Sequence, residues 1–192
     1  DYRNWLERDQ SVMPNIEPVP KEKKFYGKTY NKIAMWVESF FSAYQRETRK
    51  AFDEFEKSFL MCEEKKRAAL RKIAIEKMKK SGGTYSISDK ELKKYLESEE
   101  VQEVLEKELE IIKPDIVICG STYWLIKEIF SRRENNCVQE RVLTLPNGKP
   151  GKYFQWGNVK FLEFYHPANR KRMETQYDFA WDVFEALMKE MR

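Results

Sequence analysis

One histidine, three cysteines and seven glycines are all that these 192 residues hold of the types that build metal sites, disulfide frameworks and phosphate loops. Cys62, Cys119 and Cys137 are odd in number and widely spaced. A lone histidine adds little to such a set, so neither a zinc site nor a disulfide framework is expected. A reducing, cytoplasmic setting is the corresponding expectation. Gly82-Gly83 and Gly120 do not make a Rossmann or Walker pattern. No run approaches the roughly 20 apolar residues of a membrane span, and the opening lacks the order of a signal peptide. Charge of one sign is also missing. Thirty-six Lys and Arg face 32 Asp and Glu, a net charge of +4, so an anionic partner has to be met by a local patch. There is no internal repeat. The chain opens at Asp1-Tyr2-Arg3 with no initiator methionine, as a sequence does that begins inside a longer one.

What is present is a globular composition: 41% hydrophobic and 14% aromatic residues beneath a surface rich in charge. The length suits a single domain over residues 1–192 with a continuous core, expected to be monomeric. Residues 1–30 are polar and carry Pro14, Pro18 and Pro20, which predicts an irregular lead into a helix. From Asn31, the residues Ile33, Trp36, Val37, Phe40, Phe41 and Tyr44 recur at helical spacing and predict a buried aromatic face. The pattern over 47–71 stays helical and becomes densely charged, a solvated helix turning Phe52, Phe55 and Phe59 inward. Lys72-Ile73-Ala74-Ile75 is read as a short strand from its position among the other elements, and Lys79-Lys80-Ser81-Gly82-Gly83-Thr84 as a loop.

Ser88 and Glu91 have the spacing of a reciprocal helix cap, and the stripe Val101, Leu105, Leu109, Ile112 carries one helix to Pro114. Ile116-Val117-Ile118-Cys119 follows without alternation, as in a strand buried on both faces, and Gly120-Ser121-Thr122 turns into a helix near Tyr123. Residues 131–152 are basic and turn-rich, with a tight turn at Pro146-Asn147-Gly148 and little other structure expected. Gly157-Asn158 between two apolar runs signals a hairpin whose second arm leads into His166-Pro167-Ala168-Asn169-Arg170. From Tyr177, the residues Ala180, Val183, Phe184, Leu187 and Met191 describe a closing amphipathic helix against the sheet.

The expected architecture is α/β, a three-layer α/β/α arrangement around a small, mainly parallel sheet. Three polar segments then end strands: the Lys79-Lys80-Ser81-Gly82-Gly83 loop, residues 119–122 and residues 166–170. In open α/β sheets that edge holds the ligand. Glycine amides, hydroxyls, a histidine and basic side chains gathered there suit a phosphate-bearing substrate.

Ile111-Ile112-Lys113-Pro114-Asp115-Ile116-Val117-Ile118-Cys119-Gly120, followed by residues 159–168 ending Phe164-Tyr165-His166-Pro167-Ala168, resembles the second half of the uracil-DNA glycosylase superfamily. There a "KPxxIxxxG" strand precedes one ending in His-Pro-Ser or His-Pro-Ala. Residues 72–83 and the helix after them are similar to bacterial members with a basic pair and a Gly-Gly loop, so the resemblance covers about residues 72–192. It implies a metal-independent, cofactor-free DNA glycosylase. His166 would donate a hydrogen bond to the base carbonyl oxygen as the N-glycosidic bond breaks, an interaction worth roughly 3 kcal/mol in a water-poor pocket. Lys77, Gly120 and Ser121 would face the flipped base. Lys79, Lys80, Ser81, Gly82 and Gly83 would meet DNA, as would Asn169, Arg170, Lys171 and Arg172 in the segment that enters the minor groove, where Arg170 or Met173 would fill the gap. Tyr85, Tyr123 and Trp124 are candidates to stack on the base.

Two departures shape the expected substrate. The family's first-strand motif, which positions water, has no counterpart in residues 1–30; it lies upstream of Asp1 or is absent. The middle-strand asparagine that reads a pyrimidine falls near Glu76 or Lys77, and neither mimics an amide. The base is therefore expected to be uracil-like, damaged or modified, including bases carried by phage DNA. The alternatives are a catalytically degenerate relative that binds DNA or a modified nucleotide as a sensor in antiviral defence, and an unrelated doubly wound enzyme binding a nucleotide or sugar phosphate.

Overall fold

The structure is a computed structural model that describes residues 28–75, 88–133, 138–167 and 169–191. Its contacts divide the chain into two compact units, Asp1–Ile75 with Pro167–Arg192, and Glu76–His166.

The first unit is helical: α1 (Lys28–Tyr44), a single α-turn α2 (Phe52–Phe55) running into a π-turn (Glu56–Leu60), α3 (Glu63–Leu70) and α7 (Met173–Glu190). α1 packs against α3 and α7. Its buried face is Ala34, Met35, Trp36, Val37 and Ser39, with Phe40 set edge-on to Phe184 of α7 at 5.4 Å. Tyr44, the last residue of the predicted stripe, is exposed because the helix ends there. α7 lies beside α1 in the helical unit, and of the amphipathic set read from the sequence Ala180, Val183, Phe184 and Leu187 are buried and Met191 is not. The charged stretch after α1 is three short pieces where one helix was expected. Residues 47–51 are irregular, and Cys62 is extended between the π-turn and α3. Phe55 and Phe59 are buried as anticipated, and Phe55 stacks on Tyr177 at 4.5 Å.

Residues 72–75 form no strand. The amides of Lys72 and Ile73 are taken by the carbonyls of Ala69 and Leu70 at the frayed end of α3, which leaves no ladder for them to join. The loop expected at residues 79–84 lies outside the described residues.

The second unit contains α4 (Asp89–Leu96), α5 (Glu99–Ile112), β1 (Ile116–Gly120), α6 (Tyr123–Arg133), β2 (Gln139–Thr144), β3 (Pro150–Trp156) and β4 (Val159–Phe164). Ser88 accepts from the Glu91 amide while the Glu91 carboxylate accepts from the Ser88 amide, the reciprocal cap read from the sequence. The helix it opens stops at Glu97. Ser98 is extended, and a second helix begins after it. α5 closes with Lys113 in the left-handed region at φ 48°, ahead of Pro114, which cannot continue the helix.

The sheet has the order β1-β4-β3-β2. β1 and β4 are neighbours and parallel, in the register Ile116↔Lys160 to Gly120↔Phe164. β4, β3 and β2 are successive antiparallel partners. The sheet is therefore mixed, and the expected mainly parallel order is corrected. The reason is connection length: Gly157-Asn158 joins β3 to β4, and residues 145–149 join β2 to β3, far too short for a parallel crossover. Gly157 sits at φ 55° and Gly148 at φ 74°, backbone that a side chain would strain. Only β1 reaches its partner through a long excursion, by way of α6 and the β2-β3 hairpin. Where little structure was expected over 131–152, β2 stands.

α6 covers one face of the sheet. Tyr123, Ile126 and Phe130 meet Cys119, Phe154 and Phe161, and the rings of Phe154 and Phe161 stack at 4.6 Å. Leu96 of α4 packs with Leu125 and Ile129 of α6, and Val101 and Leu105 of α5 join that cluster half-buried. The other face carries Leu143, Tyr153, Leu162 and Phe164, all buried.

Candidate functional site

Parallel pairing brings two of the chemically promising segments to one edge. The register sets Cys119 beside Glu163 and Gly120 beside Phe164. One step further, the Ser121 amide donates to the Phe164 carbonyl at 2.9 Å, which extends the ladder beyond the end of β1. Gly120-Ser121-Thr122 and Phe164-Tyr165-His166 therefore leave the sheet side by side, at the carboxyl end where open α/β sheets bind ligands. Ser121 and His166 are exposed; Gly120, Thr122 and Tyr165 are half-buried. The first turn of α6 starts at the same place, with the Ile126 amide bonded back to the Thr122 carbonyl.

Ser121 has φ 63°. A side chain in that region costs about 1 kcal/mol, which the neighbouring strand holds in place through the Phe164 carbonyl.

The groups beneath this edge are inert. Burial, then the charge of Glu163, pushes the Cys119 thiol far above its ordinary value, so it stays protonated and is no nucleophile. Burial, then the charge of Glu140, does the same to the Tyr123 phenol, whose hydroxyl donates to Glu140 Oε2 at 3.1 Å. Glu140 is itself held below the usual carboxylate range, mainly by its bond from Lys127 at 2.7 Å. Tyr123 is thereby removed from the candidates for stacking on a base, because its ring is 4% exposed and packs on Phe154 at 5.4 Å. Trp124, the next residue, is 45% exposed.

Sequence reasoning missed Glu163. It is exposed on β4 opposite Cys119, close enough for its charge to act on Cys119 and Tyr123. The signal was there: alternation puts Glu163 on the same face as Phe161, which is buried under α6, so a carboxylate ends a core-facing row.

The remaining predicted residues are not part of this edge. Lys77, Lys79, Lys80, Ser81, Gly82 and Gly83 lie outside the described residues, as does Tyr85. The basic turn belongs to the other unit, because the division falls between His166 and Pro167. Within it, Asn169 Oδ1 accepts from the Lys171 amide at 2.7 Å, and the Asn169 carbonyl accepts from the buried Lys32 ammonium. Arg170, Lys171 and Arg172 are exposed, Arg172 is the N-cap of α7, and Met173 is that helix's first residue. Among the described residues no group of three or more His, Cys, Asp or Glu side chains is placed to hold a metal ion, and no helix is long and apolar enough to cross a membrane.

An α/β chain with a four-stranded mixed sheet is the class these observations define. Comparison with protein-family models, with curated proteins and with solved structures finds no match.

Proposed function

We propose that the chain is a DNA glycosylase, a metal-independent hydrolase that cleaves the N-glycosidic bond of a flipped uracil-like, damaged or modified base. Its fold in this reading is a three-layer variant of the uracil-DNA glycosylase type in which the sheet is mixed. The observation that carries the reading is the parallel pairing of β1 with β4, extended by the Ser121 amide to the Phe164 carbonyl, which sets the two resembling motifs side by side. His166 donates to the base carbonyl oxygen as the electron pair of the C–N bond moves onto the base. Water delivers its hydroxyl to the sugar carbon and its proton to the base. Glu163, at the end of the same strand, is the carboxylate this reading assigns to orienting that water. The exposed cations Arg170, Lys171 and Arg172, a few residues along, contribute phosphate contacts.

The exposure of His166 favours a second reading, in which the protein binds DNA or a modified nucleotide without cleaving it, as a sensor would; a donor at a wet surface stabilises developing charge far less than one in a dry pocket. One assay separates the two. DNA containing uracil, oxidised bases or modified cytosines is incubated with the protein and treated with alkali. Strand breaks at abasic sites support the glycosylase, and retention of DNA without breaks on any substrate supports the sensor.

A further inference from the structure

The basic turn over residues 169–172 is held from the protein side by donors of its own unit. Lys32, on α1, is 7% exposed, and its ammonium donates to the Asn169 carbonyl, 137 positions along the chain. Packing of α1 on α7 brings the two together. Gln176, fully buried near the start of α7, donates through Nε2 to the Lys171 carbonyl at 3.4 Å, and its amide donates to the Arg172 carbonyl at 3.2 Å. The carbonyls of Asn169, Lys171 and Arg172 thus meet protein donors, while the side chains of Arg170, Lys171 and Arg172 are exposed. A carbonyl oxygen carries partial negative charge that repels a phosphate. With these three engaged, the surface the turn offers outward is dominated by its cations.

Of these donors, Lys32 is the one supplied from outside the turn and its own helix. A bond from an ammonium is charge-assisted and about twice as strong as one between neutral groups. A buried ammonium that lost its carbonyl would also keep the cost of its lost water. Lysine and turn therefore hold each other in place.

We propose that Lys32 is a positioning residue for DNA binding: it fixes the turn so that Arg170, Lys171 and Arg172 meet the phosphates as one ordered cluster. The proposal rests on the phosphate reading of these three residues given above. Lys32 is buried and acts through the turn, without touching DNA. Its effect is to reduce the ordering that binding would otherwise have to impose on the turn and its long side chains.

Two measurements on the full chain test it: limited trypsin digestion without DNA, and DNA titration across a range of salt. Trypsin cuts after Lys and Arg where the chain opens locally, so Arg170, Lys171 and Arg172 report on the turn directly. Lys32→Met, close in length but without the donor, should speed cleavage at these three residues at least about tenfold and leave other sites at the wild-type rate. Its DNA affinity should fall at least about fivefold on unrelated sequences alike, with the salt slope unchanged because the same phosphates are contacted. Lys32→Gln keeps a donor on a shorter stem and should fall between; it carries the test if the methionine protein does not fold. Wild-type cleavage of the turn in the folded variants would overturn the proposal. So would unchanged DNA affinity beside faster cleavage, and a salt slope lower by about 1 would make Lys32 a phosphate contact instead. A wild type that binds no DNA, beside variants cleaved faster at the turn, would end the phosphate reading and Lys32's role in binding with it, while the tether itself stood.

Discussion

Ser121 spends conformational energy at the point where β1 gives way to α6, and that makes it the most informative single residue of the edge. Ser121→Gly relieves a left-handed side chain, so the folded state should gain about 1 kcal/mol. If the hydroxyl contacts the base, the same change should lower base release. A raised melting temperature with an unchanged rate would mean that Ser121 only turns the chain. Asp182 allows a second test at this scale. Burial raises its carboxyl pKa despite Arg49, whose Nη1 donates to it at 3.0 Å and whose Nη2 also pairs with Asp178. The folded state therefore favours the neutral acid. Its contribution to stability is present below the unfolded carboxyl pKa, near 3.9, and is lost as pH rises through the higher folded value. Asp182→Asn should raise the melting temperature at neutral pH and make no difference in strong acid. A lower melting temperature at neutral pH would show that the Arg49 pair outweighs burial. Neither behaviour is legible in the sequence, where Ser121 is one hydroxyl beside a glycine and Asp182 one of many acids; φ and burial come only with the fold.

Helix starts were more readable than helix extents. The Ser88 and Glu91 cap follows from spacing alone, and Ser88→Ala should cost about 1 kcal/mol in chemical denaturation, against no change if α4 is held by packing alone. The break at Glu97-Ser98 leaves a trace in the sequence: Val101 falls five positions after Leu96, a spacing that would turn the apolar stripe toward the opposite face of one continuous helix, and the extended Ser98 starts the second helix there. β1 is legible as a continuous apolar run, and β4 as the second arm of the hairpin at Gly157-Asn158. β2 was missed since Leu143 is its one buried residue, and an edge strand of charged side chains has no hydrophobic period to detect. For the basic turn, the phosphate reading predicts that Arg170→Ala and Arg172→Ala each weaken DNA binding on unrelated sequences alike and lower the salt slope by about 1. An unchanged slope would make these residues a solvated surface turn.

Across the molecule, what the sequence conveyed was a pairing more than a topology. Two motifs almost 50 residues apart were expected to end neighbouring strands, and they do so in parallel register, although the rest of the sheet is an antiparallel meander. The pairing was an expectation of the motif resemblance carried by residues 111–120 and 159–168; the meander follows from the two-residue turn at Gly157-Asn158, which rules out parallel neighbours. The predicted site falls across the two units, with His166, Gly120 and Ser121 in one and the basic turn in the other. The central claim concerns the first group: that the paired ends of β1 and β4 break a glycosidic bond. The most direct measurement is the single-turnover rate of base release by wild type and His166→Ala on a substrate that wild type cleaves, with DNA affinity and melting temperature measured alongside. A rate at least about a hundredfold lower, with affinity and melting temperature unchanged, is the predicted result. Equal rates from the two proteins would contradict it.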